Sequence, residues 1–281
     1  MQVLRYAAFT ADPVGGNPAG VVLDATGVDD VTMQATAAEI GYSETAFLVP
    51  LEEQGTGAFA IRYFSPRAEV SFCGHATIAT AVAHAERHGV GALRLHTQAG
   101  PVTVTTRTSE DGPVVATLVS VAPSSVPIPD LVLAELLAAL RWSGGELAST
   151  LPPRAAYAGA WHPVIAAASR ERLADLDYDF TALADLMARE GWATVDLVHR
   201  ESPTVYHARN PFPPGGVVED PATGAAAAAF GGYLRELGLV TPPTSLTVHQ
   251  GRDMGRPSSI TVSVPEEPGS GIAVSGSAVQ L

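Results

Sequence analysis

The sequence predicts an α+β fold of two pseudo-symmetric domains, each with a mixed sheet curled around a central helix. A strand–loop–helix pattern occurs once in each half, first in FSPRAEVSFCGHATIATAVAHAERHG and again in NPFPPGGVVEDPATGAAAAAFGGYLRELG. The helix of each copy is rich in Ala, Gly and other small residues, and a helix that is apolar on all sides is buried. Short strand patterns surround both helices. We therefore expect two such domains that face each other across a cleft.

In the first half, short alternating segments predict strands and two longer segments with helical spacing predict helices. The first helix, VDDVTMQATAAEIG, has Asp29 or Asp30 as its cap and Gly41 after its end. The second helix, HATIATAVAHAERHG, ends at Gly89. Between the first two strands, ADPVGGNPAG has the composition of a turn-rich loop. The predicted strands are VLRYAAFT, VVLDA, SETAFLVP, GAFAIRYFSP, ALRLHT, GPVTVTTR and PVVATLVS.

A segment rich in Pro and Ser, APSSVPIPD near residues 122–130, predicts a linker, and beyond it the order of elements begins again. We therefore place the first domain at residues 1–121 and the second at residues 122–269. The predicted helices of the second half are LVLAELLAAL, DFTALADLMAREG and TGAAAAAFGGYLRELG. Its predicted strands are WHPVIAAAS, DLVHRES, TVYHARN, SLTVHQG and SSITVSV.

Charge and hydropathy exclude several classes of protein. The net charge is −13 and no basic cluster occurs, which argues against nucleic acid as a partner. A content of 46% hydrophobic and 16% charged residues suits a folded soluble protein. No apolar run reaches the roughly 18–20 residues that span a bilayer, and the N-terminus lacks the apolar core of a signal peptide. We therefore expect a cytoplasmic protein with no membrane partner.

The lack of lysine and of a second cysteine excludes several further classes of enzyme. All 16 basic residues are Arg, so the Lys amine of a pyridoxal-phosphate enzyme and the Lys of a Walker A loop are both missing. Cys73 is the single cysteine, which excludes internal disulfides, CxxC motifs and a racemase that uses a pair of thiols. GGNPAG does not match the GxGxxG dinucleotide fingerprint. These observations argue against pyridoxal phosphate, a Walker A nucleotide site and a dinucleotide cofactor.

The two central helices both begin just after an unusual loop, CGHAT in the first half and EDPATG in the second. Free N–H groups at a helix start favour an anion. If both starts converge on one cleft, they would hold a carboxylate or a developing enolate. The alternative is that Asp220 caps its helix and Gly74 only turns the chain.

Glu44, in YSETAFLV, is the candidate acid–base residue. Strand alternation places Glu44 on the same face as Ala46 and Leu48, so its carboxylate would point toward apolar surroundings. Such surroundings favour a role for the carboxylate as a general base. The alternative is an exposed Glu on an edge strand. Cys73 could act as a nucleophile at a helix start or be a buried apolar residue.

His75 follows Gly74 at the start of a helix, where the dipole favours a neutral imidazole that can donate or accept a proton. The alternative is a structural histidine. His84 and His88 lie one helical turn apart in HAERH, but no third ligand accompanies them, so we expect no metal site there.

Five motifs in this order, AFTADPVGGNPAGVV, SETAF, FCGHAT, EDPATG and QGRDMGRPS, resemble the phenazine-biosynthesis isomerase (PhzF-like) family, which is related to diaminopimelate epimerase. The match extends from Phe9 to the final GSAV. The resemblance implies the diaminopimelate epimerase-like fold, a last strand at about residues 270–281 that returns to the first domain, a homodimer, and catalysis without cofactor or metal.

The resemblance also implies a role for each matching residue. The best-described activity of the family isomerises trans-2,3-dihydro-3-hydroxyanthranilate by moving a proton along the ring. Glu44 matches the proton carrier, and His75 and Asp220 match residues that assist it. The resemblance also implies that two further regions contact the substrate. They are the loop at the cleft that contains Asn17, and the glycine loops around Gly74, Thr223, Gly224 and Ala225. The phenazine isomerase has Ser where this chain has Ala225, so a hydroxyl is lost there.

We expect a 1,3-type proton-shift isomerase acting on a small anionic substrate, in which Glu44 removes a proton beside a carboxylate-stabilised centre and returns it to another carbon. One alternative is an epimerase or racemase without pyridoxal phosphate, in which Glu44 works with Cys73 or Asp220. Another is a small-molecule binding protein that has lost activity, which the missing hydroxyl at Ala225 keeps open.

Overall fold

The computed structural model describes residues 1–51, 57–110 and 112–281 of the chain. They divide into two compact units: Met1–Val119 with Ser275–Leu281, and Ser120–Val274. Both units combine helices with mixed sheets, so the predicted α+β class is confirmed. None of the described helices is long and apolar enough to cross a membrane.

The first unit contains two helices, α1 (Asp30–Ile40) and α2 (Gly74–His88). Its strands are β1 (Leu4–Ala8), β2 (Asn17–Val22), β3 (Thr45–Pro50), β4 (Ala58–Phe64), β5 (Glu69–Val70), β6 (Ala92–Thr97), β7 (Gly100–Thr108) and β8 (Val114–Val119).

The second unit contains α3 (Asp130–Leu140), α4 (Arg170–Ala174), α5 (Phe180–Glu190) and α6 (Gly224–Glu236). Its strands are β9 (Ser124–Pro127), β10 (Arg154–Tyr157), β11 (Trp161–Ala166), β12 (Asp196–Arg200), β13 (Val205–Phe212), β14 (Val217–Asp220), β15 (Thr244–Gln250) and β16 (Ser258–Val264). The last strand, β17 (Ala273–Gln280), lies mainly in the first unit.

The sheet of the first unit closes on itself around α2. Its strands pair in the order β17–β1–β2–β3–β4–β6–β7–β8, and β8 pairs with β17 again. The β2–β3 and β4–β6 pairs are parallel, and the other pairs with a defined register are antiparallel. Ten of the fifteen residues of α2 are buried, on every side of the helix. Small side chains are needed there because strands surround the helix.

The second unit repeats this succession of pairings around α6. Its order is β9–β10–β11–β12–β13–β15–β16, with β11–β12 and β13–β15 parallel and the other pairs antiparallel. The glycines of α6 allow close approach: a Cβ on Gly232 would lie 2.3 Å from Cβ of Pro123, and one on Gly231 would lie 2.7 Å from Cγ1 of Val262. The repeat in the sequence is therefore a repeat of strand order and of a buried helix.

Helices α3 and α5 form an outer layer of the second unit. They bury Leu136, Leu140, Leu183 and Met187 in one apolar cluster that also contains Ile165 of β11. Burial of a Leu or Met side chain contributes roughly 1.5–3 kcal/mol. The two helices predicted in this region therefore pack against the sheet face that α6 does not cover.

The structure differs from the local predictions in three respects. The predicted linker at residues 122–130 contains β9, whose backbone pairs with β10, because Pro and Ser are tolerated in a short strand. Strands β5, β10 and β14 and helix α4 were not predicted, since each is only two to five residues long. Glu44 precedes β3 and is not part of that strand.

Candidate active site

Glu44 occupies the turn that leads from α1 into β3. Helix α1 ends at Gly41, whose φ of 72° is left-handed and reverses the chain. The carbonyl of Glu44 accepts from the N–H of Gly20 at 3.1 Å, which anchors the turn beside the parallel pair β2–β3. Strand alternation therefore does not orient Glu44, since residues 45–48 are all buried and β3 is covered on both faces.

The carboxylate of Glu44 lies against the start of α2. Its Oε2 accepts from the thiol of Cys73 at 3.5 Å and lies 3.5 Å from Nε2 of His75. Nδ1 of His75 is 3.3 Å from Sγ of Cys73, and its Nε2 is 3.3 Å from Oγ of Ser43. The side chains of Glu44 and His75 are only 15% and 8% exposed. A carboxylate, a thiol, an imidazole and a hydroxyl thus share one small, largely water-excluded region within the first unit.

A buried polar pair fixes the backbone from which Cys73 and His75 project. The hydroxyl of Thr77 donates to the carbonyl of Cys73 at 2.6 Å, so the O–H of Tyr63 donates to Thr77, also at 2.6 Å. Burial raises the pKa of Tyr63 far above its ordinary value and keeps the phenol protonated as a donor. Sequence reasoning missed Tyr63, and only the position of Thr77 within the FCGHAT motif hinted at its role.

In the second unit, Gln250 organises the start of α6. Its Oε1 accepts from the N–H of Thr223 at 3.0 Å, and its Nε2 donates to the carbonyl of Asp220 at 2.7 Å. The hydroxyl of Thr223 in turn donates to Oδ2 of Asp220 at 2.6 Å. Gln250 is buried, so these bonds form away from bulk water. The residue that directly precedes α6 is Thr223, as Cys73 precedes α2, and Asp220 lies three positions earlier.

The two acidic residues of the EDP motif have different partners. Arg209 binds the carboxylate of Glu219 through two nitrogens: Nε donates to Oε2 at 2.9 Å and the terminal nitrogen Nη2 donates to Oε1. Arg209 also donates to the carbonyl of Ala174 at 2.6 Å. Both side chains are buried, where removing one partner of a salt bridge costs about 3–5 kcal/mol. Arg209 and Glu219 therefore hold β13 and β14 together, and Asp220 is the acidic residue placed beside Thr223.

The remaining predicted site residues are distributed as follows. Asn17 is the first residue of β2 and is buried, while Gly74 and Gly224 are the first residues of α2 and α6. Ala225, the second residue of α6, occupies the position that His75 has in α2. The structure therefore brings Glu44, His75 and Cys73 together in one unit, and Asp220, Thr223 and Gly224 in the other.

Gly251, in the QGRDMGR motif, is required by the turn that follows Gln250. Its φ is 76°, and a Cβ there would lie 2.2 Å from the carbonyl oxygen of Arg256 and 2.7 Å from that of Pro221. We expect Gly251→Ala to lower the free energy of unfolding by roughly 2–4 kcal/mol, because left-handed strain and overlap with two carbonyls add together. Urea unfolding followed by circular dichroism measures this loss.

Gly255 provides the matched control. It has nearly the same φ, 77°, but no atom lies within 4 Å of a Cβ placed there. Gly255→Ala should therefore lose only the backbone term, roughly 1–2 kcal/mol. Equal losses in the two variants would contradict the steric argument.

Proteins of known sequence and structure resemble this chain over nearly its whole length. An uncharacterised isomerase of Mesorhizobium japonicum is 34% identical over 283 residues, which are 95% of this chain and 91% of the relative. The trans-2,3-dihydro-3-hydroxyanthranilate isomerase of Pseudomonas fluorescens is 33% identical over 260 residues, 89% of this chain and 86% of the relative. The crystal structure of a PhzF-family phenazine biosynthesis protein from Bacillus anthracis superimposes with a TM-score of 0.89 at 26% identity, covering 100% of this chain and 98% of the other.

The fold and these relatives define the class of the protein: it is an isomerase. A sequence model of the phenazine biosynthesis-like proteins, PhzC-PhzF, matches residues 6–281. The chain belongs to this family, and the family expected from the order of its motifs is confirmed.

Proposed function

We propose that the protein is a cofactor-independent isomerase that moves a proton between two carbons of a small, carboxylate-bearing metabolite, with Glu44 as the acid–base residue. The observation that carries the proposal is the position of the Glu44 carboxylate, 3.5 Å from both the imidazole of His75 and the thiol of Cys73 at the start of a buried helix. Membership of an isomerase family supports the reaction type.

The proposed reaction is balanced in protons. Ionised Glu44 takes a proton from a carbon that is α or allylic to the substrate carboxylate, which leaves a delocalised anion. The protonated carboxyl then returns the proton to another carbon of the same molecule. The neighbouring N–H groups at the start of α2, and the imidazole of His75, can stabilise the anion, a type of interaction whose loss typically costs 10²–10³ in kcat.

The candidate substrate-binding groups of the second unit are the side chains of Asp220 and Thr223 and the N–H groups of Gly224 and Ala225. In the first unit the candidate is Asn17. In our proposal Asp220 assists by orienting a polar group of the substrate. Ala225 cannot donate a side-chain hydrogen bond, so its backbone N–H is its proposed contribution. We further propose that the enzyme is a homodimer and is cytoplasmic. Light scattering after size-exclusion chromatography would test whether it is a dimer.

Proton NMR in D2O with a panel of dihydroaromatic and amino-acid carboxylates tests the proposal. The panel includes trans-2,3-dihydro-3-hydroxyanthranilate, because a relative in Pseudomonas fluorescens is named for isomerising it. We expect one C–H signal to disappear and deuterium or the transferred proton to be found at a different carbon. Binding of a panel member without exchange of any C–H proton would instead indicate a binding protein and refute the proposal.

The alternative reaction is an epimerisation, which needs two proton-transfer groups on opposite faces of one carbon. The thiol of Cys73 donates to the carboxylate of Glu44, so these two groups lie side by side and do not form such an opposed pair by themselves. The same NMR experiment separates the two reactions, since an epimerase places deuterium on the carbon that it inverts and an isomerase places it on another.

A further inference from the structure

Three side chains of the candidate site are ligands of the kinds that zinc prefers. The distance from Sγ of Cys73 to Nε2 of His75 is 3.8 Å. Oε2 of Glu44 lies 3.5 Å from this nitrogen and 3.5 Å from the sulfur. Within residues 1–51, 57–110 and 112–281, these three are the one group of His, Cys, Asp or Glu whose ligand atoms lie this close together.

The separations match the geometry of a tetrahedral zinc site. Zinc binds thiolate sulfur at about 2.3 Å and imidazole nitrogen or carboxylate oxygen at about 2.0–2.2 Å, so neighbouring ligand atoms in a tetrahedron lie about 3.3–3.6 Å apart. The three atoms lie within a few tenths of an ångström of these separations. The imidazole must also rotate, because Sγ of Cys73 now lies nearer to Nδ1, at 3.3 Å, than to Nε2. Three protein ligands leave the fourth position open to water or to a substrate oxygen. Oγ of Ser43, 3.3 Å from Nε2 of His75, is a further oxygen near the three ligand atoms.

We propose that Glu44, Cys73 and His75 form a site for a thiophilic divalent cation of the zinc class, and that occupation of this site inhibits the enzyme. The inhibitory part rests on the proposed role of Glu44, because a carboxylate bound to a metal cannot accept a proton from carbon. The binding part does not depend on that role. Such a site makes the isomerase sensitive to free zinc.

The charges at the site are compatible with a divalent cation once the thiol ionises. The start of α2 carries partial positive charge, which opposes a cation but stabilises the thiolate of Cys73. Thiolate and carboxylate together supply two negative charges. Metal binding must therefore release the thiol proton to solvent, as it does at other cysteine sites.

Cobalt(II) and zinc(II), titrated into the intact purified protein, test the binding. We expect one equivalent of Co²⁺ to produce the thiolate-to-cobalt charge-transfer absorption, and Zn²⁺ to displace it. Calorimetry with Zn²⁺ in two buffers of different ionisation enthalpy should report one released proton. Cys73→Ser should abolish the charge-transfer band, and both it and His75→Gln should weaken Zn²⁺ binding roughly 100-fold or more, since even outer partners of metal ligands contribute 10–100-fold.

The double variant His84→Gln/His88→Gln is the matched control. It removes two imidazoles that lie one turn apart on the same helix, with ring centroids 4.5 Å apart, and should leave the Co²⁺ spectrum unchanged. A wild-type protein without the charge-transfer band, or Zn²⁺ binding that is lost only in this double variant, would overturn the proposed site. Circular dichroism of each variant establishes that it is folded.

Turnover measured with and without Zn²⁺ tests the inhibition separately. Activity should fall in proportion to occupation of the site and return when a chelator is added. If Co²⁺ and Zn²⁺ bind at Cys73 while turnover stays unchanged, the inhibitory part is wrong, whereas the binding at Cys73 stands. The role of Glu44 in catalysis is tested independently by the turnover of Glu44→Gln.

Discussion

Glu44→Gln is expected to lower turnover by roughly 10²–10⁴, the usual contribution of a general acid–base residue. The amide has nearly the same shape as the carboxylate and can still accept from the thiol of Cys73, but it cannot take a proton from carbon. Because the substitution removes a step of the reaction and not a contact to the substrate, kcat should fall more than KM rises. Exchange of the substrate C–H proton in D2O should fall by the same factor.

Glu39→Gln serves as the control for this prediction. It makes the same chemical change on the exposed face of α1, in the same unit, and should leave turnover unchanged. Thermal unfolding of both variants shows whether the fold is preserved. Near wild-type turnover in a folded Glu44→Gln enzyme would refute the assignment of Glu44 and, with it, the proposed mechanism.

Asp196→Asn is expected to raise the free energy of unfolding by roughly 3–4 kcal/mol at pH 8 and to change it little at pH 4. Asp196 begins β12 and is fully buried, and burial raises the pKa of its carboxyl to about 7, although a hydrogen bond from Asn210 at 3.1 Å partly opposes the rise. Between pH 4 and pH 7 the folded state holds a proton that the unfolded chain has lost. Stability therefore falls as the pH rises through this range. Asn carries no charge and removes the loss.

The carboxyl of Asp196 ends a buried chain of hydrogen bonds. Thr194 donates to Oδ1 of Asn210 at 2.7 Å, so Nδ1 of His162, 2.9 Å from the same hydroxyl, must carry the proton that it donates to Thr194. Burial lowers the pKa of His162 to about 4. The imidazole stays neutral in the folded state while the unfolded chain gains a proton below pH 6.5, so His162 makes stability fall as the pH falls.

These two groups oppose each other between pH 4 and pH 6.5, so this chain of residues should give the wild-type protein a nearly flat pH dependence of stability there. His162→Asn keeps a donor toward Thr194 but does not titrate, and its stability should therefore rise as the pH falls from 6.5 to 4. Asp196→Asn should show the opposite slope. Urea unfolding at half-unit pH intervals measures all three curves, with Asp185→Asn, an exposed carboxyl on α5, as the control. Parallel curves in all of these proteins would contradict the prediction.

The chemistry at the candidate site was only partly predictable. The motif FCGHAT placed Cys73 and His75 at a helix start, and SETAF singled out Glu44, because helix starts and isolated acidic residues can be recognised locally. The partners Tyr63 and Gln250 could not be identified in this way. Tyr63 lies on β4 near the start of α2, and Gln250 lies on β15 near the start of α6. Strand pairing between distant segments positions both residues, and side-chain spacing within one segment carries no information about such pairing.

The sequence by itself determined the α+β class, the repeated strand–loop–helix pattern with its buried small-residue helices, and the exclusion of lysine-dependent chemistry. These follow from composition and from periodicity, which report how each element is buried. Only the tertiary structure decided that Glu44 precedes β3 and meets Cys73 and His75, and that Arg209 neutralises Glu219. It also decided that Asp196 and His162 lie at opposite ends of one buried chain. The physical reason is that distances between side chains on different strands depend on sheet register and closure, which are set by the packing of the whole unit.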